Sequence, residues 1–287
     1  MNCETLVSHV CRERIYAFLI AETGFCYPSP YPSPTRGEGN KESESKLSHS
    51  TKCEKMKIMA MLPTYNEAEN IKPLINDILA LRDDMEVVVV DDNSPDGTWK
   101  IVKERSENNS RIHLVHRVNE KGRGSAGIAG FLYAVKNSAD FIIEMDADFS
   151  HNPKYIPAFI DKMKDCDVVI GSRLIKGGGE VGRSFLRTLI TLLANFYIRF
   201  ILGLNIKDCT SGYRCFKREV LASIELEKME SNGPAIVQEV LYACKKKRFK
   251  MLEVPIIFEN RRFGKSTFST KIMMRGLISV LKFRFKK

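Results

Sequence analysis

From Met56 onward the chain alternates short apolar runs with longer amphipathic stretches, and this alternation limits its fold more sharply than any other property. Ile58 to Leu62, Glu86 to Val90, Ile112 to His116 and Phe141 to Met145 are strand-length runs. Helical patterns over Glu67 to Arg82, from Asp96, and up to Asn137 separate them. Short apolar strands joined by helices make βαβ units, which predicts an α/β domain whose mostly parallel sheet is covered on both faces. Ligands of open sheets of this kind bind beyond the carboxyl ends of the strands. The polar residues that follow each strand are therefore the candidates for chemistry.

Four such segments carry it. After the first strand stand Pro63-Thr64-Tyr65-Asn66-Glu67, with a ring for stacking and a carboxylate at a helix start. Thr64 or Asn66 as a helix cap explains the same residues in purely structural terms. After the second come Asp91-Asp92-Asn93-Ser94-Pro95-Asp96-Gly97. Turn chemistry accounts for Asn93 to Gly97 but not for the acidic pair, whose position suits hydrogen bonding to a base or ribose. After the third, Asn119-Glu120-Lys121-Gly122-Arg123-Gly124 combines glycines, cations and a helix start, a setting that favours an anion. After the fourth stands Asp146-Ala147-Asp148. Two carboxylates at i and i+2 leaving a strand suit one hard divalent cation, which can bridge a diphosphate.

In this order the motifs, together with Gly171-Ser172-Arg173 and Asp208-Cys209-Thr210-Ser211-Gly212-Tyr213-Arg214, resemble the inverting GT-A glycosyltransferases. More narrowly they resemble the polyprenyl-phosphate (dolichol-phosphate) mannose synthases, from about Lys57 to Phe268. The resemblance implies a GT-A fold and transfer of mannose from GDP-mannose to a polyprenyl (dolichyl) monophosphate. It implies Mg²⁺ or Mn²⁺ on Asp146 and Asp148, the metal neutralising charge on the leaving diphosphate. Pro63, Tyr65, Glu67, Asp91 and Asp92 are then expected around the nucleoside, with Lys121, Asp146, Arg261 and Lys265 toward the nucleotide sugar. Asp148, Arg173 and Arg187 are the expected catalytic residues, and Arg173, Arg187 and Thr191 are expected on the acceptor phosphate. That nucleophile is already anionic at neutral pH, so orientation by arginine forks is needed rather than a strong base. Two departures stand out: Thr267 where relatives carry a lysine that Lys265 or Lys271 would have to replace, and Phe149-Ser150 after the acidic pair. The same chemistry with UDP-glucose or another donor, and a catalytically silent membrane-binding scaffold, are the alternatives.

Charge and composition bear on the partner. The chain has 287 residues and a formal charge of +10. Between Lys245 and Lys287 stand fourteen basic residues and two acids, so the excess is C-terminal. There, and in Ser184 to Leu204, apolar bulk accompanies the cations, the composition of helices lying in a bilayer interface. The apolar run Thr188 to Ile198 between Arg187 and Arg199 is too short for a membrane span. A peripheral position on the cytoplasmic face of a membrane is expected, and no nucleic-acid motif accompanies the basic end. Eight scattered cysteines without paired spacing read as free thiols. Residues 1–55 hold seven basic and seven acidic side chains and four of the eleven prolines. They read as a disordered tail or as an over-extended start with Met56 the initiator. The expected organisation is thus 1–55 as an extension, 56–260 as the transferase domain and 261–287 as a basic interfacial segment.

Overall fold

The computed structural model describes residues 56–231, 233–259 and 270–285. Residues 1–55, Arg261, Lys265 and Thr267 lie outside the described residues, as do four of the cysteines. In chain order the elements are β1 (Ile58–Thr64), α1 (Ala68–Leu79), β2 (Met85–Asp91), α2 (Thr98–Asn108), β3 (Ile112–His116), α3 (Arg123–Lys136) and β4 (Phe141–Glu144). A single turn of 3₁₀ helix at Pro153–Tyr155 leads into α4 (Ile156–Lys162), followed by β5 (Val168–Ser172), β6 (Gly179–Glu180) and α5 (Phe185–Leu202). The chain continues through β7 (Arg214–Lys217), α6 (Arg218–Ser223), α7 (Ile236–Lys246), β8 (Met251–Pro255), β9 (Ile257–Phe258) and α8 (Thr270–Phe285).

The main sheet has the strand order β3-β2-β1-β4-β7-β5-β8. Neighbours run parallel except at β7, which is antiparallel to both β4 and β5. The expected mostly parallel α/β sheet is what forms. Successive residues of a strand face opposite sides. Accordingly Met59, Met61, Val88 and Val90 enter one core with Phe131 and Ala134 of α3. Ile58, Ala60, Leu62, Val87 and Val89 enter the other with Ile71, Leu74 and Ile75 of α1. Being buried on both faces explains why β1 and β2 are apolar without alternation. Helix α3 lies very close to the sheet at Gly130, where a Cβ would come within 2.4 Å of the Met61 side chain.

Two of the expected boundaries shift for local reasons. Helix α1 ends at Leu79 rather than Arg82, because Arg82 folds back to grip Asp84 with two hydrogen bonds of 2.7 Å. Its N-terminus is capped neither by Thr64 nor by Asn66. The next loop supplies the partners: Ala68 N–H donates to Asp96 Oδ2 and Glu67 N–H to Thr98 Oγ1, each at 3.0 Å. Helix α8 packs against α5 and α7. Val280 is buried in the main core, and the Tyr197 hydroxyl donates to the Leu277 carbonyl at 3.0 Å.

Candidate active site

The register of the parallel strands brings the ends of β1, β2 and β3 side by side, with Thr64 opposite Asp91 and Asp91 opposite His116. Pro63 lies in the last turn of β1, half-buried, and Tyr65 beyond it is exposed. The Lys121 ammonium sits 5.6 Å from the Tyr65 ring centre, so two expected nucleotide residues from separate loops do converge. Glu67 stands at the start of α1 and accepts from the Asn70 amide at 2.7 Å.

Asp91 differs from expectation. Its carboxylate is wholly buried and accepts from the Thr64 hydroxyl, the Ser94 hydroxyl and the Ser94 N–H at 2.7–2.8 Å. A carboxylate withdrawn from water must be hydrogen-bonded, and these partners saturate it from the protein side. Asp91 therefore organises the loop that follows β2, its oxygens already taken by Thr64 and Ser94. Asp92 is similarly placed. It accepts from Gly122 N–H at 2.8 Å and lies 3.4 Å from Arg117 Nε, and burial raises its pKa above 3.8 despite these contacts. The expected anion cradle of the third loop is thus partly spent: Gly122 N–H points to Asp92, and Arg123 turns inward.

That inward arginine frames the acidic pair. At the end of β4 the fully buried Glu144 receives Arg123 on one oxygen at 2.8 Å and the fully buried Arg214 of β7 on the other. Arg123 also reaches Asp146 Oδ1 at 3.3 Å. Asp146 is held from the other side by His151, whose Nδ1 accepts the Asp146 N–H at 2.9 Å. His151 is stacked on Tyr213 and its pKa is pushed below 6.5 by burial, so the ring is neutral at pH 7 and carries its proton on Nε2. Asp148 is nearly buried and Oδ1 accepts from the Ser150 N–H and hydroxyl at 3.1 and 2.6 Å. Ser150 is therefore a clamp on the second carboxylate. Phe149 between them takes a left-handed φ of 65°, which turns the chain back under the pair.

Among the described residues no group of three or more His, Cys, Asp or Glu side chains forms a ready metal cage. Two carboxylates at i and i+2, the first with its side chain 40% exposed, fit a hard cation that keeps most of its shell for water and substrate phosphate. Gly212 packs closely against this corner: a Cβ there would lie 3.3 Å from Arg123, 3.5 Å from His151 and 3.9 Å from Asp146, so a side chain would press on the groups that hold the acidic pair. The residues present thus fit a divalent ion bridged to a diphosphate.

The acceptor-side expectation needs revision. Arg173 is buried, and its Nε and Nη2 grip both oxygens of Asp208 at 2.7 and 2.8 Å. Nη2 also donates to Thr210 at 2.6 Å and Nη1 to Glu180 at 3.0 Å. A buried guanidinium demands carboxylates, and these occupy most of the fork expected on the phosphate. Arg187 is exposed near the start of α5. Thr191 donates to the Arg187 carbonyl, but the arginine bound to the Thr191 hydroxyl is Arg183, at 3.2 Å. Arg183 also donates to Glu180 at 2.6 Å, and its guanidinium, like that of Arg173, lies over the Phe258 ring.

Helix α5, which carries Arg187 and Thr191, exposes Phe185, Leu186, Leu193, Phe196 and Phe200. Its 18 residues have a mean hydropathy of 1.5, long and apolar enough to cross a membrane by length and composition. The uninterrupted run counted from the sequence underestimated it because both arginines lie near its ends. One buried polar residue ties it to the site: Asn195 accepts the Cys209 N–H at 2.6 Å and donates to Thr210 at 3.1 Å.

The structure therefore brings Asp146, Asp148, Arg173 and Thr191 into one connected region through His151, Phe258 and Arg183. Residues that sequence reasoning missed are Glu144, His151, Glu180, Arg183 and Asn195, and Arg123, expected in an anion cradle, pairs with Glu144 and Asp146 instead. His151 stands one residue past Ser150, and Glu180 and Arg183 stand at i and i+3. Those spacings were the available signals. Cys166, Cys209, Cys215 and Cys244 are free and buried, and burial pushes the Cys209 and Cys244 thiols up to about 12, outside any reactive range.

Residues 60–225 match the model of glycosyl transferase family 2. The chain is 34% identical over 225 residues to the undecaprenyl-phosphate mannosyltransferase of Micrococcus luteus, covering 78% of this chain and 93% of the relative. It is 34% identical to the polyprenol monophosphomannose synthase of Mycolicibacterium smegmatis, covering 77% and 84%. It is 39% identical to the dolichol-phosphate mannosyltransferase of Pyrococcus furiosus, covering 77% and 62%. The fold is similar to that of glucosyl-3-phosphoglycerate synthase from Mycobacterium tuberculosis, solved with Mn²⁺ and uridine diphosphate. The TM-score is 0.60 at 20% identity over 80% of each chain.

Proposed function

The chain belongs to glycosyl transferase family 2, and on that premise we propose that it transfers mannose from GDP-mannose to a polyprenyl (dolichyl) monophosphate with inversion. The relatives named above act, by name, on polyprenyl phosphates, and this supports the acceptor class. The observation that carries the reading is contiguity. Asp146 neighbours His151, whose ring meets Phe258; Arg173 and Arg183 lie over Phe258 and hold Glu180, and Arg183 reaches Thr191 on the helix with the exposed apolar side.

Asp146 and Asp148 would hold Mg²⁺ or Mn²⁺, which when bound supplies Lewis-acid stabilisation of the leaving diphosphate. Arg123 and His151 hold Asp146 in place, and Ser150 holds Asp148, so neither carboxylate must reorganise as charge develops. Tyr65 and Lys121 flank the nucleotide, and Gly212 lets the chain pass close to the acidic pair without crowding Arg123 and His151. Arg183, Arg187 and Thr191 would orient the acceptor phosphate, which inversion requires to attack from the face of the sugar opposite the leaving diphosphate. The nucleophile arrives deprotonated, so no residue is asked to remove a proton.

The protein binds peripherally at the cytoplasmic face of a membrane in this reading. An exposed apolar strip of this size fits an interface. Met274, Ile278, Leu281 and Phe285 of α8 extend it, beside Lys282 and Arg284. Helix α5 lies along the surface rather than through it, since Asn195 and Tyr197 bind it to the body from the middle of its length.

Purified protein incubated with labelled GDP-mannose, polyprenyl phosphate and Mg²⁺ or Mn²⁺ is expected to move label into organic solvent, as a β-linked mannosyl phosphate by NMR. Transfer from UDP-glucose alone would overturn the donor. Label that stays aqueous with every nucleotide sugar would overturn the enzyme and leave a membrane-binding scaffold.

A further inference from the structure

The carboxylate of Glu180 occupies a site built for a phosphate. Oε1 accepts from Arg173 Nη1 at 3.0 Å and from Arg183 Nη1 at 2.6 Å, and Oε2 accepts from the Thr188 hydroxyl at 3.4 Å. The Glu180 side chain is 7% exposed, and the Phe258 ring floors both guanidinium groups at 5.5 and 5.4 Å. Two guanidinium forks and a hydroxyl at the start of an apolar helix form the donor set that a phosphate monoester takes. Here an internal anion fills it. Arg173 is otherwise neutralised by Asp208, but the carboxylate on Arg183 is Glu180 itself.

The backbone around Glu180 suits a residue that changes position. It lies on the two-residue strand β6, paired with the two-residue β9, and Gly177 (φ 89°) and Gly182 (φ 75°) bracket it in left-handed conformations. A short ladder between glycines holds its place with few hydrogen bonds.

We propose that Glu180 occupies the acceptor-phosphate position and is displaced by the incoming phosphate, so that it selects acceptors by charge. This rests on the transfer reaction proposed above. A neutral alcohol cannot replace the carboxylate, because its entry would leave the Arg183 guanidinium without a counter-charge and Arg173 with Asp208 alone. A phosphate dianion supplies more charge and more acceptor oxygens than the group it ejects. The selectivity therefore comes from an occupant that weakly charged competitors fail to remove.

The test compares the full-length wild type with Glu180→Gln and Glu180→Asp, checked for fold by circular dichroism, with inorganic phosphate titrated by calorimetry at constant ionic strength. Both variants are expected to bind phosphate at least about tenfold more tightly than the wild type, the Gln variant most. Adding Arg183→Gln to the Glu180→Gln variant is expected to abolish the gain. In the transfer assay Glu180→Gln is expected to lower KM for polyprenyl phosphate and leave KM for GDP-mannose unchanged. Phosphate affinity in the variants equal to or below the wild type overturns the inference. The titration reads Glu180 without turnover: absent transfer with tightened phosphate binding counts against the reaction alone, and intact transfer with unchanged binding against Glu180 alone.

Discussion

The ends of β1 and β2 and the region from β5 to β7 both carry buried carboxylates, but different partners hold them. Asp91 and Asp92 rest mainly on neighbouring N–H groups and hydroxyls, whereas Asp208 and Glu180 rest on arginines. Dipolar partners shape a loop and leave its charge in place. Guanidinium partners cancel it, and the cations are then available only to a ligand that competes with their carboxylates. The β1/β2 edge is thus a preformed surface, and the β5 to β7 region is a set of internal ion pairs, which in the proposed reading exchange with the acceptor.

The sharpest way to break this contrast is at the junction of the two regions, where Glu144 receives both Arg123 and Arg214. Arg214→Met strands a wholly buried carboxylate with a single partner, and a loss of about 3–5 kcal/mol in urea unfolding is expected. A loss under 1 kcal/mol would mean that the frame is not held by this pair. Next in size is the acidic pair itself. Asp148→Asn keeps the shape and the Ser150 contact, so turnover is expected to fall by about 10²–10³-fold with unfolding unchanged. Full activity would remove Asp148 from the reaction.

Phe196→Asp probes the apolar side. Burying one such ring is worth about 1.5–3 kcal/mol. Co-sedimentation with anionic vesicles is expected to weaken by about 10–100-fold while the secondary structure is kept. Unaltered partitioning would detach α5 from the membrane. The smallest effect is a pair of opposite pH slopes. Burial alone would raise Asp208, but the hydrogen bonds and charge of Arg173 outweigh it and hold its pKa below 3.8. Its contribution is present above 3.8 and is lost as pH falls through the lowered value. Asp92 is raised, so the folded protein takes up its proton first, and stability rises as pH falls through the raised value toward 3.8. Urea midpoints between pH 7 and 3 are expected to fall less steeply in Asp208→Asn and more steeply in Asp92→Asn than in the wild type. Equal slopes in the two variants would erase the distinction between the regions.

Much of the edge formed by β1 to β4 was legible because its signals are local. An apolar run ends, a carboxylate or glycine follows, and a parallel strand delivers it to the same edge as its neighbours. Tyr65, Lys121, Asp146 and Asp148 stand where that logic places them. Asp91 shows its limit, since position at a strand end does not reveal which oxygens the adjacent loop has already claimed. On the acceptor side the arginines were visible but their allegiance was not: Arg173 meets Asp208 across 35 residues, and Arg214 meets Glu144 across 70.

By itself the sequence determined the strand and helix alternation, the α/β class, the order of the motifs and the presence of an acidic pair after β4. Period and spacing dictate these through near neighbours alone. Only the tertiary structure decided that Asp91 faces inward, that Arg183 rather than Arg187 meets Thr191, and that Glu180 fills the arginine cluster. Such pairings depend on which buried charges the fold brings within hydrogen-bond reach, and desolvation forces each charge to take whatever partner lies there.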